Sequence, residues 1–199
     1  MIKNVIFDFG NVIAHFCPED MIAAVAEKKE DQKVLETVLF KSGNWDKLDA
    51  GELDYSTFRQ KSKELLPEGL HDMADKLFEE WYLYMPLMKG VPELIRELKD
   101  KGYHLYILSN ASEFFAEKSD YFGVNQEFDG IVFSALVKMV KPNPEIYQYL
   151  LDIYDLNPEE CLFLDDRPAN IEGAKKLGIH GMVFTGDVDA VRRKLYGKG

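Results

Sequence analysis

Five short apolar runs set the limits on how this chain can fold. They are NVIFDF (4–9), YHLYILSN (103–110), GIVFSA (130–135), CLFLDD (161–166) and GMVFTG (181–186). Each is dense in Val, Ile, Leu, Phe or Tyr, and none shows the clean apolar–polar alternation of a strand with one wet face. Strands of that kind are covered on both sides, as in a parallel sheet flanked by helices. The segments between them carry helix-end signals. VPELIRELKDKG (91–102) puts Pro92 in a first turn and Gly102 past a last one, and NPEIYQYLLDIYDLN (143–157) opens on Asn143 and Pro144. ANIEGAKKLG (169–178) closes on Gly178, while DVDAVRRKLYGKG (187–199) starts at an acidic cap and turns basic toward its end, in the sense that suits a helix dipole. From residue 90 onward helix and strand therefore alternate, which predicts an α/β, doubly wound parallel sheet with right-handed crossovers.

Residues 18–86 interrupt that rhythm. They hold helix-like stretches at 20–30, 32–42, 55–66 and 70–84 and no strand pattern, with GNWDKLDAGELDYS (43–56) reading as a turn region. The expectation is an all-helical insert at 18–86 within a core made of 1–17 and 87–199. Trp45 and Trp81 are assigned to the insert's own packing rather than to a ligand platform, because buried aromatics mostly pack. Periodicity does not decide which way Trp45, Tyr55 and Trp81 face.

Composition narrows the function. At 199 residues and 46% apolar the chain is long enough and apolar enough to bury a real core. A net charge of -11, with Lys and Arg scattered among acids along the helices, argues against nucleic acid as a partner. Cys17 and Cys161 are far apart and belong to no CxxC pattern, so neither a disulfide framework nor zinc is suggested, and Cys161 reads as a small buried apolar residue. No apolar run approaches the roughly 18 residues that span a bilayer, and the chain enters its first strand pattern directly. The expectation is a cytoplasmic protein with no membrane partner. Oligomeric state is not set by the sequence.

In an open parallel sheet, ligands bind beyond the carboxyl ends of the strands. Those ends deliver Asp8, then Ser109 and Asn110, then Lys141, then Asp165 and Asp166 followed by Asn170. Each alone has a bland explanation, since a single acid there is commonly a helix cap and a lysine before proline is commonly solvated. Together at one rim they call for a chemical one. Adjacent carboxylates do not all ionise unless a cation holds them. Mg²⁺ suits an all-oxygen site completed by a substrate phosphate. Ser109 and the amides near Asn110 can donate to phosphate oxygens while Lys141 neutralises charge, and an aspartate can itself attack phosphorus.

Asp8 in FDFGN, Ser109 in ILSN, Lys141 in VKPNPEIY and the acids of LDDRPANIEGA resemble, in order and over essentially the whole chain, the four motifs of the haloacid dehalogenase (HAD) superfamily. The forms DFGNVI, LSN, KPNPEIY and DDRPANIEGA look most like the small sugar-phosphate phosphatases related to bacterial α-glucose-1-phosphate phosphatase and to the N-terminal domain of soluble epoxide hydrolase. This resemblance implies a HAD-like Rossmannoid core with a C1-type helical cap at 18–86. It also implies a Mg²⁺-dependent phosphomonoester hydrolase acting on a small phosphorylated metabolite, such as a sugar phosphate. Asp8 and Lys141 are then the catalytic residues, Asp8 forming an aspartyl-phosphate. Asp8, the Gly10 carbonyl and Asp166 would hold the metal, with Asp165 either a ligand through water or a positioner of Lys141. Ser109, Asn110 and Lys141 would hold the phosphoryl group, Asn170 would support the acidic loop, and the cap would exclude water.

One position departs from the pattern. Most phosphatases of this superfamily carry Asp-x-Asp in the first motif, and the second acid handles the proton; here it is Gly10. Three readings follow. A phosphatase can use a water, a cap residue or a substrate hydroxyl instead. A haloacid dehalogenase lacks the second acid too, but needs no Mg²⁺ and leaves Asp165 and Asp166 unexplained. A phospho-ligand-binding protein that has lost catalysis would not need Asp8 and the metal acids intact. The first is preferred, since the glucose-1-phosphate phosphatase-like relatives share the D-x-G-N form. His15 and Asn11 lie nearby in sequence, and a lone histidine is more often structural than catalytic.

Overall fold

The five apolar runs become five parallel strands in a computed structural model that describes residues 1–197. They are β1 (Asn4–Phe7), β2 (His104–Ser109), β3 (Gly130–Phe133), β4 (Cys161–Asp165) and β5 (His180–Val183), ordered β3-β2-β1-β4-β5 across the sheet. Between β1 and β2 lie the helices α1 (Pro18–Ala23), α2 (Lys29–Leu35), α3 (Asn44–Asp49), α4 (Tyr55–Leu65), α5 (His71–Glu80) and α6 (Val91–Asp100). The chain continues through α7 (Glu113–Lys118) to β3, then α8 (Ser134–Val137) and α9 (Pro144–Ile153) to β4. Finally α10 (Pro168–Lys175) leads to β5 and α11 (Val188–Tyr196).

Neighbouring strand residues enter different cores, which explains the missing alternation. Val5, Phe7, Leu105, Ile107, Leu162 and Leu164 pack with α6 and Val191 of α11. Ile6, Tyr106, Leu108, Val132 and Phe163 pack with α9 and α10 on the other face, together with Cys161, which has no exposed surface. Both faces are therefore dry, and both sets of positions must be apolar. The helices from 18 to 84 are not a separate globule: Met21, Leu35, Leu48, Phe58, Phe78 and Trp81 are continuous with the Phe7, Phe9 and Ile107 core. No helix among the described residues is long and apolar enough to cross a membrane.

The structure corrects the expectation at several boundaries. The region 43–56, expected to be turn, contains α3. Gly43 at φ +79° starts it, and Leu48 is its buried residue. Six residues are fewer than two turns, too few for a 3.6-residue period to register in a window of eleven or more. The third apolar run stops at Phe133, where Ser134 begins α8. The expected helix 20–30 ends at Ala23, and the one at 32–42 is α2 continued by a π-helical turn at Glu36–Phe40. Of the segment 187–199, Lys198 and Gly199 lie outside the described residues.

Candidate active site

Register brings the strand-end residues together. Phe7 of β1 pairs with Ile107 of β2 and with Leu164 of β4. One residue on, Asp8 leaves the sheet beside Asp165, its N–H still donating to the Leu164 carbonyl at 2.9 Å. Lys141 enters from the α8–α9 connection. Its Nζ donates to Asp8 Oδ1 at 2.9 Å, to Asp165 Oδ2 at 2.7 Å and to the Leu108 carbonyl at 2.9 Å. An ammonium has three protons, and here each meets an acceptor while the side chain has no exposed surface. Lys141 is thus committed to the carboxylates, and what it offers an incoming anion is charge rather than a free donor.

The adjacent acids have different surroundings. Asp165 Oδ1 accepts from the Arg167 N–H at 2.8 Å and Asn170 Nδ2 at 3.0 Å, and Oδ2 accepts from Asn170 at 2.9 Å as well as from Lys141. Of the two roles open to Asp165, that geometry favours positioning Lys141 over binding a metal. Asn170 is fixed in turn, its carbonyl accepting from Tyr147 Oη at 2.8 Å. The close approach of α10 requires a glycine: a Cβ on Gly173 would lie 2.6 Å from the Pro142 carbonyl oxygen. Asp166 is half-buried and takes one protein hydrogen bond of note, from Asn11 Nδ2 at 3.2 Å. Asn11 sits at φ 58°, a left-handed conformation that asparagine tolerates, and its Oδ1 accepts the Phe16 N–H at 3.0 Å. It therefore ties the β1 loop to the acidic loop, a role its sequence position alone did not reveal. His15 is exposed, 3.8 Å from Asp20, and is not among the residues around the cavity.

Carboxylate oxygens of Asp8, Asp165 and Asp166 all lie within 4.8 Å of one another. Burial pushes Asp8 up to about 6 despite the opposing pull of Lys141, and burial likewise raises Asp166, with Asn11 pulling it down. Three acids against one bonded ammonium leave surplus negative charge on a set of hard oxygens, which fits a divalent cation such as Mg²⁺. Asp8 Oδ1 also accepts the Phe9 N–H at 2.7 Å, so its ammonium and amide contacts fall on one oxygen. The Ser109 hydroxyl is buried beside Asp8 and helps hold its charged form. Asn110 is different from what its position suggests. Its side chain closes two hydrogen bonds on the Lys141 backbone, Nδ2 to the carbonyl at 2.9 Å and Oδ1 from the N–H at 2.8 Å, so it fixes Lys141 rather than reaching out.

Asp8, Ser109, Asn110, Lys141, Asp166 and Asn170 line a cavity of about 690 Å³, beneath which Asp165 is fully buried, a volume within the usual range for small-molecule sites. Phe16, Phe40, Trp45 and Trp81 supply aromatic lining to the same cavity. Their rings interlock, Phe40 and Trp45 with centroids 4.6 Å apart and Trp45 and Trp81 5.1 Å apart. Trp45 packs within the insert as expected, whereas Trp81 also stacks on Phe115 of α7 with centroids 5.4 Å apart; both present surface to the cavity, a question that periodicity left open. Tyr55 is not among the residues around the cavity: its hydroxyl donates to the Phe78 carbonyl at 2.6 Å within the insert, and its ring stacks on Phe114 of α7 with centroids 4.2 Å apart.

Gly10 also lines the cavity, and its backbone is not in a left-handed conformation. A Cβ there would meet only the Phe16 Cβ, at 3.6 Å, an ordinary contact. Gly10→Ala is accordingly expected to shift the thermal midpoint by no more than about 4 °C in a differential scanning experiment, the scale of 1 kcal/mol in a chain of this size. A larger loss would show that close packing demands the glycine.

Comparison with known proteins agrees with the fold and the motif order. The family model for haloacid dehalogenase-like hydrolases matches residues 2–178. A D-ribitol-5-phosphate phosphatase of Bacteroides thetaiotaomicron is 28% identical, covering 89% of each chain. A sesquiterpene phosphatase of Aspergillus oryzae is 27% identical over 92% of this chain and 90% of its own. Among solved structures, a HAD family enzyme from Bacteroides thetaiotaomicron, crystallised with magnesium and inorganic phosphate, superposes with a TM-score of 0.75 at 24% identity, covering 94% of this chain and 96% of that one. That likeness establishes the fold. The chain belongs to the haloacid dehalogenase-like hydrolase family, and its near full-length relatives include phosphatases.

Proposed function

We propose that this protein is a Mg²⁺-dependent phosphomonoesterase that hydrolyses a small sugar or polyol phosphate through an aspartyl-phosphate on Asp8. The observation that carries this reading is the way Asp8 is held. Lys141 and the Phe9 N–H both occupy Oδ1, which leaves the second oxygen to attack phosphorus. Asp165 and Asn170 keep Lys141 in place, and Ser109 and the Lys141 charge favour an anion above the nucleophile. Asp8, Asp166 and the Gly10 carbonyl would hold Mg²⁺, which when bound supplies charge neutralisation for carboxylates and phosphoryl oxygens alike. Residues 18–86 serve as a helical cap on a core of 1–17 and 87–199, its aromatic wall lying against the carbon face of the substrate and limiting water. The two free cysteines suit a reducing cytoplasm. A haloacid dehalogenase would have no use for the surplus acid at Asp166.

The test is phosphate release from a panel of polyol, sugar and prenyl phosphates, run beside a haloacid assay. Turnover of phosphate esters with Mg²⁺, its loss in EDTA and its return when Mg²⁺ is added back are expected. Full activity in EDTA would overturn the metal assignment, and halide release without phosphate release would overturn the phosphatase reading.

A further inference from the structure

Gly10 leaves the proton transfers of such a reaction without a residue, and the helix that sequence patterning missed supplies one. Asp49 is the last residue of α3 and lines the same cavity as Asp8, Ser109, Lys141 and Asp166. Its backbone is anchored to the core at the phosphate-binding loop: the Ser134 hydroxyl donates to the Asp49 carbonyl and accepts the Ala111 N–H at 2.9 Å. Ala111 lies two residues past Ser109. The chain then turns sharply, with Gly51 at φ +67° and so close to the core that a Cβ would meet the Ala135 carbonyl oxygen at 2.5 Å. No other residue type fits that approach without a shift, so the end of α3 is seated where it is by both a hydrogen bond and a packing constraint.

We propose that Asp49 is the general acid–base of this site: it protonates the leaving oxygen and then deprotonates the water that attacks the aspartyl-phosphate. The inference rests on the phosphatase reading above. In the first step an Asp8 oxygen bonds to phosphorus, the phosphorus–ester oxygen bond breaks, and the departing oxygen takes the Asp49 proton to leave as an alcohol. In the second, water bonds to phosphorus and gives a proton back to Asp49. The phosphorus–Asp8 bond then breaks, so inorganic phosphate leaves and both carboxyls return to their starting states. A resting acid must hold its proton, and the surroundings favour that. Asp49 is half-buried where it lines the cavity. Burial pushes its carboxyl well above the usual range, Asp46 on its own helix and Asp8 across the cavity add to this, and the Lys141 ammonium and Ser112 backbone amide oppose it.

Leaving-group dependence tests the assignment in the Mg²⁺-loaded protein. An alkoxide leaves only with a proton, whereas nitrophenolate leaves without one. Asp49→Asn keeps the side-chain shape, and is expected to lower kcat/KM for a polyol phosphate by about 10²- to 10⁴-fold and for p-nitrophenyl phosphate by less than tenfold. The same variant should release a burst of nitrophenolate, one per site, because dephosphorylation of Asp8 has also lost its base. Asp49→Glu, which retains an acid, should recover part of the polyol phosphate activity. Equal losses on both esters, unchanged kinetics on both, or no burst would each overturn the proposal. A wild-type protein inactive on both would instead remove the phosphatase reading, and this inference with it.

Discussion

Asp8→Asn is expected to lower phosphatase turnover by on the order of 10⁵-fold or more, the scale on which removing a covalent nucleophile acts, while raising the stability of the metal-free protein at neutral pH. The two effects share one cause. On the proposed reading Asp8 is buried for chemistry rather than for folding, and burial lifts its carboxyl to about 6. A carboxyl whose pKa is raised in the fold binds its proton more tightly there than in the unfolded chain. Its contribution to stability is therefore greatest at low pH and falls as pH rises from about 4 to about 6. Above that, the ionised group opposes folding by up to about 3 kcal/mol. An amide in its place removes that cost, and Lys141 still has Asp165 and the Leu108 carbonyl as acceptors. Thermal melts in EDTA should place the variant above the wild type at pH 7.5, with a narrower gap at pH 5. Added Mg²⁺ should close the gap by stabilising the wild type. Retained turnover would put the nucleophile elsewhere, and a lower melting point at pH 7.5 would show that Asp8 and Lys141 stabilise the fold together.

What the sequence disclosed and what it withheld divide along physical lines. The sheet was legible because strands dry on both faces need nearly continuous apolar runs, and the rim residues were legible because a parallel sheet collects its chemistry at strand ends. The distinction between Asp165 and Asp166 was not. They are neighbours with the same side chain, and their different environments come from Lys141 and Asn170, whose placement is set by other segments. Asn110 gave the same difficulty: the motif marks it as part of the anion site, but only the fold shows its amide closed on the Lys141 backbone. Asp49 was hidden twice, in a helix too short to show a period and among 35 acidic residues. Its significance comes from contacts with Ser134, 85 positions away.

Lys141→Met tests the other half of the centre, and its expected outcome is opposite in sign to that of Asp8→Asn. Methionine matches the length of the lysine stem but removes the charge that the Asp8 and Asp165 carboxylates share, so the two are left buried and facing each other. Breaking a buried ion pair from one side typically costs about 3–5 kcal/mol, because the partner keeps its desolvation penalty without its compensation. Urea unfolding in EDTA at pH 7.5 should show a loss of that size, along with turnover reduced below detection. The loss must shrink at lower pH. Without the ammonium, the burial that already raises the Asp8 carboxyl loses its main counterweight, so the variant recovers stability as pH falls and Asp8 takes up its proton. Lys141→Arg should not restore activity: the three acceptors at 2.7–2.9 Å surround a point ammonium, whereas a planar guanidinium presents its donors in a fixed fork. Equal losses for Lys141→Met at pH 7.5 and pH 5 would mean that the lysine stem, through packing against Phe163 with its Nζ 5.2 Å from the ring centroid, matters more than its charge.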